Sequence, residues 1–164
     1  PRVYQYLSSN VKLNSCKNIF MENLALSATE NERMPFYSPE DKFGKGSLSA
    51  VFTDKAEYVN TITLDTLKEK YNFSKVDHIK IDVEGYERSV FEGGKNLLSS
   101  NDAPVVLFEF ADWAENMANH TKAGDAQTYL SNLGFRLYDF SNAVKLGSEM
   151  KPRMVGNLMI LAIK

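Results

Sequence analysis

The chain has 164 residues, of which 43% are hydrophobic and 24% charged, with a formal net charge of −2. These values describe one globular domain, short for a full doubly wound fold with a cofactor site, and they exclude a basic scaffold held on nucleic-acid phosphates. The single cysteine, Cys16, excludes an internal disulfide framework and a cysteine-built zinc site, and no apolar run approaches the roughly 18 residues of a membrane span.

Val3, Tyr4, Leu7 and Val11 recur at helical spacing, with Asn14 as a stop signal. Asn18 to Ser27 reads as a mostly apolar strand through Ile19, Phe20, Met21, Leu24 and Leu26. Glu30 to Arg33 is a turn into a short strand, Met34 to Tyr37. Cys16 reads as a loop thiol, because nothing near it in sequence lowers its pKa. Residues 38–56 are polar, with Phe43-Gly44-Lys45-Gly46-Ser47 at their centre. A phosphate-loop reading fails on context, since no apolar strand feeds the glycines and no helix follows them. The segment reads as a mobile surface loop, either a connector or an overhang of the active site. Tyr58 to Leu64 has strand composition without a clean apolar face, which predicts a strand near a sheet edge. Asp65 is placed to cap a short helix, Thr66 to Tyr71.

The most informative stretch is His78-Ile79-Lys80-Ile81-Asp82-Val83-Glu84-Gly85-Tyr86-Glu87. Ile79, Ile81 and Val83 alternate with polar residues, Gly85 ends the strand, and Val90, Phe91, Gly94, Leu97 and Leu98 continue at helical spacing. Asp82 and Glu84 are thus carried to the carboxyl end of a strand, where ligands bind in open α/β sheets. Two residues apart, they point to one side and can act on one ligand; the plainer alternative is a pair of solvated or helix-capping acids. Ala103 to Phe110 is a strand covered on both faces, with Glu109 as a third carboxylate near its tip. Residues 111–124 form a loop or loose helix over the crevice, in which Trp113 is a substrate wall or a packing residue. His120 reads as an exposed loop histidine, and His78 as a satisfied strand residue. Asp125 caps a helix ending at Gly134. Phe135 to Phe140 and Gly156 to Ile163 are the last strands, joined as an antiparallel pair. The fold class is therefore α/β: a mostly parallel sheet with helices on both faces, closed by an antiparallel C-terminal strand.

Lys80 to Glu87, Val90-Phe91-Glu92-Gly93-Gly94 and Pro104 to Phe110 resemble blocks of the FkbM-type family of S-adenosylmethionine-dependent methyltransferases. Asn23 to Ser27, Gly46-Ser47-Leu48 and Thr61 to Asp65 resemble further blocks in the same order, so the similarity runs from Pro1 to about Phe135. The resemblance implies a Rossmann-like class I methyltransferase sheet, S-adenosylmethionine as cofactor, and O-methylation of a sugar or other small hydroxyl-bearing acceptor. It implies Asp82 beside the sulfonium, Glu84 and Glu109 orienting or deprotonating the acceptor, Asn23 and Ala25 near adenine with Gly85 in the cofactor-binding set, and Ser47 and Trp113 bordering the acceptor. Family members open with a strand, a glycine-rich turn and a helix, then a second strand ending in an acid before a proline like Pro1. The sheet is accordingly expected to lack its first two strands, which would lie between the first strand here and Ile79–Val83.

Two other classes stay open. A carboxylate-based hydrolase would use Asp82, Glu84 and a metal, with His78 as the nearest histidine. A non-catalytic interaction module would bind no cofactor. Hard cations favour oxygen ligands, so an ion bridging Asp82 and Glu109 is a further alternative, but two or three acids are a weak signal and no metal is assigned. The expected partner is a small molecule, with neither nucleic acid nor membrane, in the cytoplasm.

Overall fold

The computed structural model describes residues 2–118, 121–141 and 147–164; the readings placed on Pro1 and His120 lie outside them. The first helix, α1 (Arg2–Leu13), stops where Asn14 predicts, with Ser15 leaving the helical path at φ 53°. Of its apolar stripe only Val11 is buried. A three-stranded sheet follows, built from β1 (Ala25–Leu26), β2 (Arg33–Tyr37) and β3 (Ala56–Ile62) in the order β1-β3-β2. The pairing is parallel between β1 and β3 and antiparallel between β2 and β3.

Several short-range expectations change in this half. The strand predicted over Asn18–Ser27 contracts to Ala25–Leu26, because only these residues reach a partner, opposite Thr61 and Ile62. Phe20 instead packs against the rings of Tyr71 and Phe73. The Tyr58–Leu64 segment is the central strand, not an edge; its mixed faces reflect a small sheet that leaves most of β3 exposed on both sides. Helix α2 (Leu64–Lys70) is capped by Thr63, whose Oγ1 accepts the Thr66 amide. Asp65 serves another helix: its carboxylate accepts the amides of Asn96 and Leu97 at the start of α4 (Lys95–Ser99). The 38–56 segment is pinned rather than loose. Ser47 and Tyr37 exchange both backbone hydrogen bonds, at 2.8 and 3.1 Å, and Leu48 and Val51 are buried.

The core gathers on a five-stranded sheet of β4 (His78–Ile81), β5 (Val105–Ala111), β6 (Arg136–Asp139), β7 (Glu149–Met150) and β8 (Asn157–Ile163), ordered β4-β5-β8-β6-β7. The β4–β5 ladder is parallel, while β5–β8, β6–β8 and β6–β7 are antiparallel, which corrects the expectation of a mostly parallel sheet. The reason is topological. The last strand inserts between β5 and β6, so those two run the same way without touching. Among the described residues no ladder joins the two sheets, and no helix is long and apolar enough to cross a membrane.

Alternation along β5 and β8 buries Val106, Phe108 and Phe110 with Leu158, Ile160 and Ala162. Val90 and Phe91 of α3 (Glu87–Gly93), Leu98 of α4, and Ala126 and Leu130 of α6 (Asp125–Asn132) complete this cluster, and burying each larger side chain is worth about 1.5–3 kcal/mol. Phe91 meets Phe108 edge to face at 5.2 Å. The single helix predicted to run through Leu98 breaks at Gly94 into α3 and α4. A Cβ on Gly93 would lie 2.1 Å from the Ser27 carbonyl oxygen, so α3 docks backbone to backbone against the end of β1. That contact sets the distance between the small sheet and the tip of β4.

Candidate active site

The site forms where β4 ends. Asp82 and Val83 leave the strand, Glu84 and Gly85 take left-handed conformations at φ 53° and 93°, and α3 begins at Glu87. Gly85 is obligatory here: its Cβ would fall 2.4 Å from the carbonyl oxygen of Ala114 on α5 (Asp112–Met117), backbone that cannot yield. The turn folds Glu84 inward, where it is only 6% exposed, while Asp82 stays half-exposed at the rim. Parallel pairing with β5 brings the tips of both strands together. Carboxylate oxygens of Asp82, Glu84 and Glu109 lie within 4.8 Å of one another.

Three acids so close require compensation. Lys45, from the 38–56 loop, donates from Nζ to Glu84 Oε1 at 2.5 Å, and Lys80 donates to Asp82 Oδ2 at 2.9 Å. The hydrogen bond to Glu84 raises the Lys45 ammonium above its usual range. Partial burial opposes ionisation of Asp82, but the hydrogen bond and charge of Lys80, helped by a hydrogen bond with Glu109, hold it below the usual carboxylate range. The same partial burial, followed by the Asp82 charge and their shared hydrogen bond, pushes Glu109 up. The two acids are thus driven in opposite directions, Asp82 down and Glu109 up, a pattern that gives neighbouring carboxyls separate roles. The oxygen set would also suit a hard divalent ion, though the Lys45 ammonium now answers Glu84.

Next to this cluster is a hollow of about 330 Å³. Its floor and rim bring together four of the residues singled out in the sequence, Asn23, Ala25, Ser47 and Asp82, with Leu24, Leu26, Phe36 and Tyr86 among the walls. Ser47 is buried, donating from Oγ to the Glu84 carbonyl oxygen at 3.0 Å and accepting the Ser49 amide at 3.1 Å. Gly46 permits the Phe36 wall, since a Cβ there would sit 2.5 Å from that ring. Trp113 does not line the hollow. It is 42% exposed and meets Phe52 edge to face at 5.6 Å, and Phe52 in turn lies 5.3 Å from Lys45 Nζ. Trp113 therefore meets the cluster only through Phe52 and Lys45. His78 opens β4, about 13 Å along the strand from Asp82 at about 3.3 Å per residue, and so takes no part. Sequence reasoning missed Lys45, whose polar glycine-spaced loop carries no local sign of an ion pair 39 residues away, and missed Phe36 and Tyr86.

The methyltransferase FkbM domain matches residues 1–137 of the chain, which include every residue of this site. No curated protein and no solved structure matches it. With its matched portion running from α1 into β6 and containing the acid-bearing turn, the chain belongs to the FkbM methyltransferase family.

Proposed function

We propose that the chain binds S-adenosylmethionine in the hollow between β1, the 38–56 loop and the tip of β4, and transfers its methyl group to a hydroxyl of a sugar or other small polyol. One observation carries this reading: the hollow that joins Asn23, Ala25, Ser47 and Asp82 opens directly beside the Asp82–Glu84–Glu109 cluster, in a member of a methyltransferase family. The donor set fits the group. Apolar walls and Asn23 suit a purine, and an ionised Asp82 suits a cationic sulfur. When bound, this cofactor supplies an electrophilic methyl carbon on a sulfonium.

The residues of the chain supply the rest. Asp82, kept ionised by Lys80, places negative charge where the cofactor carries its positive charge. Glu109, whose pKa is raised by partial burial and by the Asp82 charge, accepts the proton of the acceptor hydroxyl as the oxygen becomes the nucleophile. Glu84, fixed through Lys45 and through its own backbone carbonyl, orients that hydroxyl. Trp113 and Phe52 offer flat apolar surface for a sugar ring on the outer side of the cluster. The reading places the reaction in the cytoplasm, with a small-molecule acceptor.

Calorimetric titration with S-adenosylhomocysteine tests it. Saturable one-to-one binding is expected, with a dissociation constant of roughly micromolar size, or about −8 kcal/mol. Absence of any binding heat at millimolar ligand would remove the cofactor from the account and leave an interaction module in its place.

A further inference from the structure

Behind the site turn stands a second pair of acids that the proposed chemistry does not use. Glu87, the first residue of α3, is 2% exposed, as is Glu115 on α5. An acid that merely favours a helix start remains in water, because a buried carboxyl is costly without partners. The partners of Glu87 belong to the site turn. Its Oε1 accepts the backbone N–H of Val83 at 3.2 Å and of Gly85 at 3.4 Å, the amides on either side of Glu84. Between them Glu84 holds φ 53°, a conformation that a non-glycine residue keeps only when its surroundings impose it. From behind, α5 closes the turn, with Ala114 O and Glu115 N against Gly85. Glu115 accepts the Gly124 amide on Oε2 at 2.6 Å, and its buried Oε1 has no hydrogen-bond partner among the described residues. The turn is thus held by the Glu87 carboxyl and packed tightly against α5.

We propose that Glu87 is a positioning residue for the site: by gathering the Val83 and Gly85 amides on one carboxyl oxygen, it imposes the left-handed backbone that delivers Glu84 to Asp82 and Glu109. This rests on the methyltransferase reading for its consequence in binding, but not for its consequence in the backbone. Three variants separate a positioning role from packing. Glu87→Gln keeps an acceptor oxygen in place, Glu87→Met keeps the length and loses the acceptor, and Glu87→Ala loses both. Glu87→Gln is expected to bind S-adenosylhomocysteine within about threefold of wild type, and Glu87→Met to weaken it about tenfold or more. Should the alanine variant fail to fold, the Gln and Met pair carries the comparison. Amide hydrogen exchange reads the turn without any ligand. Val83 and Gly85 should exchange about tenfold faster in Glu87→Met than in Glu87→Gln, with the Phe108 amide in the core unchanged. Equal protection of the two amides in both variants overturns the proposal, as does faster exchange with undiminished binding. If the wild type binds no S-adenosylhomocysteine, the methyltransferase reading fails by itself, and the exchange comparison still decides whether Glu87 sets the turn.

Discussion

Asp82 lines the hollow with Glu84 and Glu109 clustered beside it, while Glu87 and Glu115 lie buried on the side closed by α5. Among the outer acids, Glu84 and Asp82 have Lys45 and Lys80 to answer their charge. The inner pair enters no salt bridge among the described residues and is served by backbone amides alone. Burial, which backbone hydrogen bonds only partly offset, pushes Glu87 up to about 7 and Glu115 up to about 8. The same residue type thus does two jobs across one turn. Acids with a counter-cation and an open approach are available to a ligand, and acids without either serve the backbone that presents the first set.

The contrast is most sharply broken at the residue that separates the two sides. Gly85→Ala would force a Cβ onto the Ala114 carbonyl at a backbone angle already unsuited to alanine, so a loss of about 3 kcal/mol or more in urea unfolding is expected. A variant as stable as wild type would show that α5 does not pack tightly against the turn as described. A gentler test titrates the inner pair. In the unfolded chain these glutamates ionise near pH 4.5, whereas in the fold they keep their protons to about pH 7 and 8. Between those limits the folded state binds more protons than the unfolded one. Each group therefore contributes stability that is full below about pH 4.5 and is lost as pH rises toward its folded value, at up to about 1.4 kcal/mol per pH unit. Glu115→Gln, which keeps an acceptor for Gly124, should flatten the decline between pH 5 and 8 when unfolding free energies are measured across that range. An unchanged slope would mean that Glu115 ionises normally in the fold.

How far these arrangements could be read in advance depends on the range of the interaction. The strand, turn and helix from His78 to Gly93, the buried β5 and the stop at Asn14 all follow from local period and turn chemistry, and the structure has them. What failed was set by distant partners. Asp65 looks like the cap of its own helix but caps α4, its bonded amide 31 residues on, and β3 looks like an edge because its small sheet leaves most of it exposed on both faces. The direction of the sheet was missed because nothing local says that β8 slots between β5 and β6. In the site, Asp82, Glu84 and Glu109 were visible because acids at strand tips are conspicuous, whereas Lys45 and the buried roles of Glu87 and Glu115 arise only when loop, turn and α5 close on one another.

The central claim is that Asp82 offers its charge to a cationic sulfur, and one ratio tests it most directly. S-adenosylmethionine and S-adenosylhomocysteine differ by a methyl group and a positive charge, so their affinities should be compared in wild type and in Asp82→Asn by calorimetry. The account predicts that the substitution weakens the cationic ligand about tenfold more than the neutral one, a difference of about 1.4 kcal/mol. Equal weakening of both ligands, or none of either, would contradict it.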